Sequence, residues 1–152
     1  GIGTAKAVSI IAAMEIGRRR AAQAHEEKPK ITSSVDAFTI LRSLIGDLQV
    51  EEFWVLFLNQ ANFVIHKEQI SKGGISQTAV DVRIILKIAL EEMATGIILA
   101  HNHPSGNLKP SKADYLITHK VKKAAETLDL NVLDHLIVTQ KSYFSFADEG
   151  EL

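Results

Sequence analysis

The chain has 152 residues, 46% of them hydrophobic and 23% charged, which suits one folded domain of ordinary size. Its net charge of −1 and pI of about 6.7 are unlike those of a dedicated nucleic-acid-binding domain, whose pI usually exceeds about 9. Cysteine is absent, and no apolar run reaches the roughly 18 residues of a membrane span. Thiolate metal sites are therefore excluded, and any metal must be held by histidine or carboxylate side chains. A cysteine-free chain also fits the reducing cytoplasm, which is the predicted location.

The first part of the chain predicts two helices joined by a linker. Residues 4–23 are rich in alanine and carry apolar side chains at helical spacings, which favours a single helix. Residues 24–33 are polar and contain Pro29, as is typical of a linker. A second helix is predicted over residues 34–44, with Ser34 as its N-cap.

The middle of the chain predicts a β-hairpin, a long helix and a buried strand. Aromatic and β-branched residues dominate 51–58 and 61–70, and this spacing predicts a hairpin. A helix is expected over residues 78–93, closed by Gly96. Its predicted buried stripe consists of Val80, Ile84, Ile85, Ile88 and Ala89. Residues 96–100 form a short continuous apolar run, which is typical of a central strand buried on both faces.

The last part of the chain predicts a helix between strands. After a loop with two prolines, Ser111 is the expected N-cap of a helix that reaches about Leu128. Its predicted buried face consists of Leu116, Ile117, Val121 and Ala124. Strands are expected at 131–139 and 143–146. Strands mixed with covering helices predict an α/β domain.

Two histidines and one aspartate form a candidate metal site. His101 and His103 stand at i and i+2 directly after the buried strand, and extended backbone points such side chains the same way. Asp114, in the first turn of the next helix, can bring a carboxylate to the same point. Two histidines and a carboxylate leave one tetrahedral position open, which distinguishes catalytic from structural zinc. A water at that position becomes nucleophilic near neutral pH.

Each of these residues also has a purely structural interpretation. A lone His-x-His pair more often belongs to a surface or a core than to a metal site. Asp114 stands three residues after Ser111 and can serve as a helix-capping residue. The adjacent letters His-Asn-His do not indicate an HNH nuclease, because that class is named for dispersed residues. The metal interpretation therefore depends on the residues occurring together.

The spacing of these residues resembles a known signature. The pattern is similar to the JAMM signature of the Jab/MPN metallopeptidases: His101-x-His103-Pro104, then six residues, Ser111, two residues and Asp114. The segments ILAHNHPSGNLKPSKAD, LDHLIV and YFSF resemble the bacterial RadC branch of that superfamily. The resemblance implies an MPN domain with a cytidine-deaminase-like fold over residues 34–152, in which helices flank a mixed β-sheet.

The resemblance also implies a role for each residue of the signature. His101, His103 and Asp114 would bind one Zn²⁺, and Ser111 would stabilise the oxyanion of a tetrahedral intermediate. The implied reaction is hydrolysis of a peptide or isopeptide bond by a zinc-bound water. The physiological substrate cannot be named from the sequence.

An acidic residue at the start of the first hairpin strand would act as the general base. In RadC-like chains this residue precedes a phenylalanine by two positions, which selects Glu51. Glu52 stays open as the alternative, although pleating turns neighbouring residues to opposite faces of a strand. Glu51 also has a structural interpretation, as a solvated strand end.

Other positions are predicted to support the site or depart from the family. His135 and Asn102 are candidates for holding the ligands without binding the metal, although His135 can equally be a half-buried strand residue. Val82-Arg83-Ile84 stands where RadC-like chains usually have Pro-Arg-Glu, which puts substrate contacts from this helix in doubt. The remaining histidines, His25, His66 and His119, are interpreted as structural or surface residues.

The amino-terminal segment suggests a second kind of partner. Residues 1–23 resemble the hairpin and second helix of a helix-hairpin-helix, in which Gly1, Gly3 and Lys6 are candidate contacts to a DNA phosphate. The first helix of that motif is missing, so weak DNA binding is expected at most. The alternative is an amphipathic helix packed on the main domain.

Three classes of function remain in competition. The leading hypothesis is a zinc hydrolase that acts on a peptide or protein substrate. A RadC-like, DNA-associated protein that uses the MPN domain as a scaffold is the second, and the complete metal-site set argues against it. A metal-dependent nuclease is the third, and a ligand set for one metal weakens it, since phosphodiester cleavage often uses two. No membrane partner is expected, and the oligomeric state stays open.

Overall fold

The computed structural model describes residues 3–23, 28–73 and 80–152. Within these ranges the helices are α1 (Thr4–Gln23), α2 (Ser34–Ile45), α3 (Val82–Glu91) and α4 (Lys112–Glu126). The strands are β1 (Glu52–Leu58), β2 (Val64–Lys72), β3 (Gly96–Asn102), β4 (Asn131–Val138) and β5 (Tyr143–Ser145). The five strands form one sheet in the order β2-β1-β3-β4-β5. Strands β3 and β4 run parallel and the other neighbouring pairs antiparallel, so the predicted mixed α/β fold is confirmed.

Helices pack on both faces of this sheet. Apolar side chains of α2, such as Leu41 and Ile45, pack against one face, and those of α3 and α4, such as Ile85 and Val121, pack against the other. The alternation of β1 divides its residues between the two cores, so Phe57 lies on the α3–α4 side and Leu56 on the α2 side. All seven residues of β3 are buried, as predicted for a central strand.

The first two helices and their connection differ from the prediction in detail. Helix α1 has the predicted bounds, whereas the N-cap of α2 is Ser33 rather than Ser34, because Ser33 forms a capping box with Asp36. Part of the predicted linker joins the domain: Lys30 bridges to Phe63 in the hairpin, and Ile31 is buried. Residues 24–27 lie outside the described residues.

The large apolar side chains of α1 are exposed rather than packed. Val8, Ile11 and Ile16 are each between 61% and 66% exposed, so the structure does not bury the apolar side of this helix. The alternative of an amphipathic helix packed on the main domain is therefore not what the structure shows. None of the helices in the described ranges has the length and apolar character needed to cross a bilayer.

The third helix is shorter than predicted. Its described part begins at Val82, where the Asp81 side chain accepts a hydrogen bond from the Arg83 N–H, and it ends at Glu91. Residues 74–79, which include the predicted start, lie outside the described residues. Gly96 is the first residue of β3 and does not close the helix, because the turn is made by residues 92–95, with Met93 at a φ of 53°. Ile84 is 45% exposed, contrary to the predicted stripe.

The fourth helix begins as predicted but turns a different face to the sheet. Ser111 is its N-cap, which confirms the predicted start. Leu116, predicted to be buried, is 53% exposed. The buried stripe instead consists of Asp114, Ile117, Thr118, Val121 and Ala125. This rotation brings Asp114 against His101 near the carboxyl end of β3, and Thr118 against His135 of β4.

Candidate metal centre

The candidate metal centre lies where β3 ends and α4 begins. Ligand sites in α/β sheets commonly occupy the carboxyl ends of strands, and β3 is the central strand of this sheet. His101 is the penultimate residue of β3, and His103 follows the strand by one residue. Asp114 lies in the first turn of α4. The structure thus brings together the three residues that the sequence analysis selected as metal ligands.

The three side chains converge closely. His101 Nε2 lies 3.0 Å from His103 Nε2 and 3.2 Å from Asp114 Oδ1. His103 Nε2 lies 3.9 Å from Asp114 Oδ2. Nitrogen and oxygen ligands at about 2.0–2.1 Å from a tetrahedral ion are themselves about 3.3 Å apart, which is close to these separations. One ligand atom from each residue lies within 4.8 Å of the others, so this group can hold a metal ion.

The chemistry of the donor set fits a cation. His103 Nδ1 lies 2.5 Å from the Asn107 carbonyl oxygen, which can only accept, so this nitrogen donates, and in the neutral form that metal binding requires the lone pair is on Nε2. That lone pair faces His101 Nε2 and the carboxylate of Asp114. Burial lowers the pKa of His101 to about 3, against the opposing effect of the Asp114 carboxylate, so its imidazole is neutral. Neutral imidazole nitrogens beside a buried carboxylate are the donors that zinc prefers when cysteine is absent.

Asp114 is a helix-capping residue as well as a candidate ligand. Its Oδ2 accepts a hydrogen bond of 2.6 Å from the Ser111 N–H, and Ser111 Oγ accepts one of 3.3 Å from the Asp114 N–H. The same capping box links Ser33 and Asp36 at the start of α2. Asp114 differs from Asp36 in being 1% exposed and in contacting His101. The capping interpretation therefore holds, and the cap fixes the carboxylate beside the histidines.

The two candidate bases, Glu51 directly before β1 and Glu52 as its first residue, extend to opposite sides, as extended backbone requires. Glu51 Oε1 lies 3.7 Å from His103 Nε2, on the side of the metal centre. Glu52 turns away, where its carboxylate accepts a hydrogen bond of 2.9 Å from Trp54 Nε1 and lies 3.4 Å from Lys72 Nζ. The geometry favours Glu51 over Glu52, and its role as a base stays a prediction.

Asn102 holds the backbone on both sides of Glu51. Its Oδ1 accepts a hydrogen bond of 2.8 Å from the Glu52 N–H, and its Nδ2 donates one of 3.0 Å to the Val50 carbonyl. A further Nδ2 contact of 3.3 Å reaches the Leu48 carbonyl. Asn102 therefore supports the segment that carries Glu51 rather than the metal ligands.

His135 contacts the candidate ligand His101 from within the sheet. It is fully buried, and its Nε2 lies 2.9 Å from His101 Nδ1. Its Nδ1 lies 2.6 Å from the hydroxyl of Thr118, a residue that the sequence analysis missed. Thr118 follows Asp114 by one helical turn, a spacing visible in the sequence, but a lone helical threonine gives no signal of its own.

The remaining predicted residues lie at the rim of the centre or away from it. Ser111 is exposed at the start of α4, and its Oγ accepts a hydrogen bond from the Asp114 N–H. Arg83 is exposed, and its guanidinium pairs with Asp81, the N-cap residue of α3. His66 is half-buried beside Glu68, and His119 is exposed.

The proposed DNA contacts are described only in part. Gly1 lies outside the described residues, as does His25, which was interpreted as a structural or surface residue rather than a DNA contact. Gly3 precedes α1 and accepts a backbone hydrogen bond from Ala7, and Lys6 is exposed on the first turn of the helix. DNA binding by this segment stays a prediction.

An open groove adjoins the metal centre on the side of His103. It encloses about 620 Å³, a volume typical of ligand sites. Three loops line it, formed by residues 46–49, residues 103–106 with Leu108, and residues 139–142. A chain segment lying in this groove would pass next to His103.

The fold and the site together define an α/β protein with a candidate mononuclear metal centre at the end of its central strand. Residues 31–151 match the family model of the RadC-like JAB domain, and the chain therefore belongs to this family.

Curated relatives agree with this assignment. A UPF0758 protein of Flavobacterium johnsoniae is 61% identical over 150 residues, which cover 99% of this chain and 66% of that protein. A UPF0758 protein of Porphyromonas gingivalis is 47% identical over 153 residues, covering 100% of this chain and 67% of the relative. A UPF0758 protein of Methanosarcina mazei is 36% identical over 150 residues, covering 99% and 66%. The chain thus spans about two thirds of the length of these relatives.

Metal binding is expected to stabilise the folded chain. Because the three ligands meet only in the folded state, zinc at 1,000 times its Kd should add about 4 kcal/mol to the free energy of unfolding. Thermal unfolding with and without zinc, at a stoichiometry of one ion per chain, measures this effect. His103→Ala should bind less zinc and gain correspondingly little stability, and an equal zinc-dependent shift in that variant would contradict the site.

Proposed function

We propose that this chain is a zinc-dependent hydrolase of the JAMM metallopeptidase type, which cleaves peptide or isopeptide bonds. The observation that supports this most strongly is the convergence of His101, His103 and Asp114 beside a groove, with the Glu51 carboxylate 3.7 Å from His103. A site that only stabilised the fold would need neither an acidic group at its edge nor an open approach.

Each side chain has a defined part in this proposal. His101, His103 and Asp114 would hold the zinc ion, which when bound acidifies a water and polarises the scissile carbonyl. Glu51 accepts a proton from the attacking water as the new C–O bond forms, and gives it to the leaving amine as the C–N bond breaks. The Ser111 hydroxyl donates a hydrogen bond to the developing oxyanion. The products are a carboxylic acid and an amine.

The donor set supports zinc among the metals that imidazole binds. Imidazole suits zinc, copper, iron and nickel, whereas magnesium and calcium prefer all-oxygen sites. Two histidines and one carboxylate are the ligand set of several catalytic zinc sites, which keep a fourth position open. A nuclease that used two metals would need a second group of ligands, and in the described ranges the structure assembles one such group.

A library experiment tests the proposed reaction. Zinc-loaded protein is incubated with peptides, with isopeptide-linked lysine conjugates and with single-stranded and duplex DNA, and the products are identified by mass spectrometry. We expect new amine and carboxylate ends that disappear when a chelator is added and return with zinc. Cleavage of DNA without cleavage of any amide would contradict the proposal and favour the nuclease.

A further inference from the structure

A buried chain of hydrogen bonds runs from α4 through β4 to the ligand His101. Thr118 Oγ1 lies 2.5 Å from the Asp114 carbonyl oxygen and 2.6 Å from His135 Nδ1. On the other side of the same ring, His135 Nε2 lies 2.9 Å from His101 Nδ1. Thr118 is 3% exposed, and both histidines are fully buried. All three side chains in this series of hydrogen bonds are thus shielded from water.

The number of available protons fixes which group donates at each step of this series of hydrogen bonds. A carbonyl oxygen can only accept, so the single hydroxyl proton of Thr118 goes to Asp114. The Thr118 oxygen must then accept from His135 Nδ1–H, which leaves His135 Nε2 as an acceptor. His135 Nε2 in turn accepts from His101 Nδ1–H, which leaves the lone pair of His101 on Nε2. That is the atom closest to His103 and Asp114.

The reverse assignment of donors and acceptors is energetically unfavourable. If His101 carried its proton on Nε2, then His135 would donate from Nε2 and Thr118 would donate to His135. The Thr118 and Asp114 oxygens would then face each other as two acceptors at 2.5 Å in a buried site, where leaving a polar group unsatisfied destabilises the fold.

Packing against two aromatic rings holds the plane of the His135 ring, and turning the ring over would break both of its hydrogen bonds. It stacks on Phe146 at a centroid distance of 4.9 Å and an interplanar angle of 10°, and Phe53 contacts its edge. Its backbone N–H donates to the Asp134 carboxylate at 2.7 Å. The ring therefore transmits the proton arrangement from Thr118 to His101.

We propose that Thr118 is a positioning residue that acts through His135 to fix the tautomer of His101, so that Nε2 offers a lone pair to the metal. This inference rests on the metal site of the proposed function. Asp114 would then support the site in two ways. Its carboxylate binds the metal, and its backbone carbonyl oxygen orients the ligand His101 through Thr118 and His135.

Thr118→Val tests the proposal, because it removes the hydroxyl and keeps the branched shape. We expect zinc affinity, measured by competition with a chromophoric chelator, to fall about 10–100-fold, the usual effect of losing a partner that supports a ligand. Thr118→Ser restores the hydroxyl and should restore the affinity. Thr39→Val is the matched control, since Thr39 makes the same bond to the carbonyl four residues earlier, on the exposed side of α2.

A second readout follows the protons directly. In the metal-free wild type, ¹⁵N NMR should show His101 and His135 protonated at Nδ1, and in Thr118→Val the His135 proton should move to Nε2. An Nε2-protonated His101 in the wild type, or equal affinities for Thr118→Val and wild type, would overturn the proposal. A wild type that binds no zinc would refute the proposed function, while the ring protonation would still decide the role of Thr118.

Discussion

Asp114→Asn is expected to remove tight zinc binding, whereas Asp36→Asn should leave it unchanged. Both aspartates complete a capping box with a serine three residues earlier, so both substitutions disturb a helix start in the same way. Asp114 alone of the two lies beside His101, at 3.2 Å. A neutral amide is a poor zinc ligand, so the affinity should fall by at least the 10–100-fold that follows loss of a supporting partner.

Zinc content after dialysis, together with chelator competition, measures both variants. Asp36→Asn also reports how much of any change comes from weakened capping. This variant should unfold at a slightly lower temperature than the wild type while it still binds zinc. If Asp114→Asn kept wild-type affinity, Asp114 would be a capping residue only, and the proposed ligand set would be wrong.

Glu51→Gln is expected to reduce hydrolysis by about 100-fold or more while the protein keeps its zinc. The amide matches the carboxylate in size but cannot accept a proton at neutral pH, and loss of a general base usually costs 10²–10⁴-fold. Glu51 lies close to His103 but is not one of the converging ligands, so metal binding should not need it. Rates on the substrate found in the library, measured with parallel zinc analysis, test this expectation.

Glu52→Gln is the matched control for this substitution. It makes the same chemical change one residue away, and a glutamine oxygen can still accept the bond from Trp54 Nε1 on the other side of β1. It should keep both activity and zinc. If Glu52→Gln were the inactive variant and Glu51→Gln the active one, the base would be Glu52 and the assignment from the strand pleat would be wrong.

The sequence predicted the secondary-structure elements that depend on local patterns, and it identified the three candidate ligands that the structure brings together. The uniform apolar run at 96–100 is typical of a strand buried on both faces, and Ser111 could be identified as an N-cap from its position before an amphipathic segment. The candidate ligands could be identified because His101 and His103 are close in the sequence and Asp114 lies at the start of the helix that follows.

The contacts that support the site could not be predicted in the same way. Hydrophobic periodicity placed Leu116 in the core, but α4 instead buries Asp114 and Thr118, whose partners in the sheet compensate their polarity. Asn102 reaches backbone groups about fifty positions away, and no local pattern encodes that pairing. Gly96 was predicted to end a helix, since glycine often follows a helix. It instead begins a strand, at a position where another side chain packs closely. At this position an added Cβ would lie 2.9 Å from Leu133 Cδ1.

The measurement that tests the central claim most directly is a crystal structure of the zinc-loaded protein with anomalous data collected at the zinc edge. It should show one strong anomalous peak per chain, at about 2.0–2.2 Å from His101 Nε2, His103 Nε2 and an Asp114 carboxylate oxygen. The Glu51 carboxylate should lie near the fourth position without replacing a ligand. No peak at saturating zinc, or a peak held by other residues, would contradict the assignment of this site.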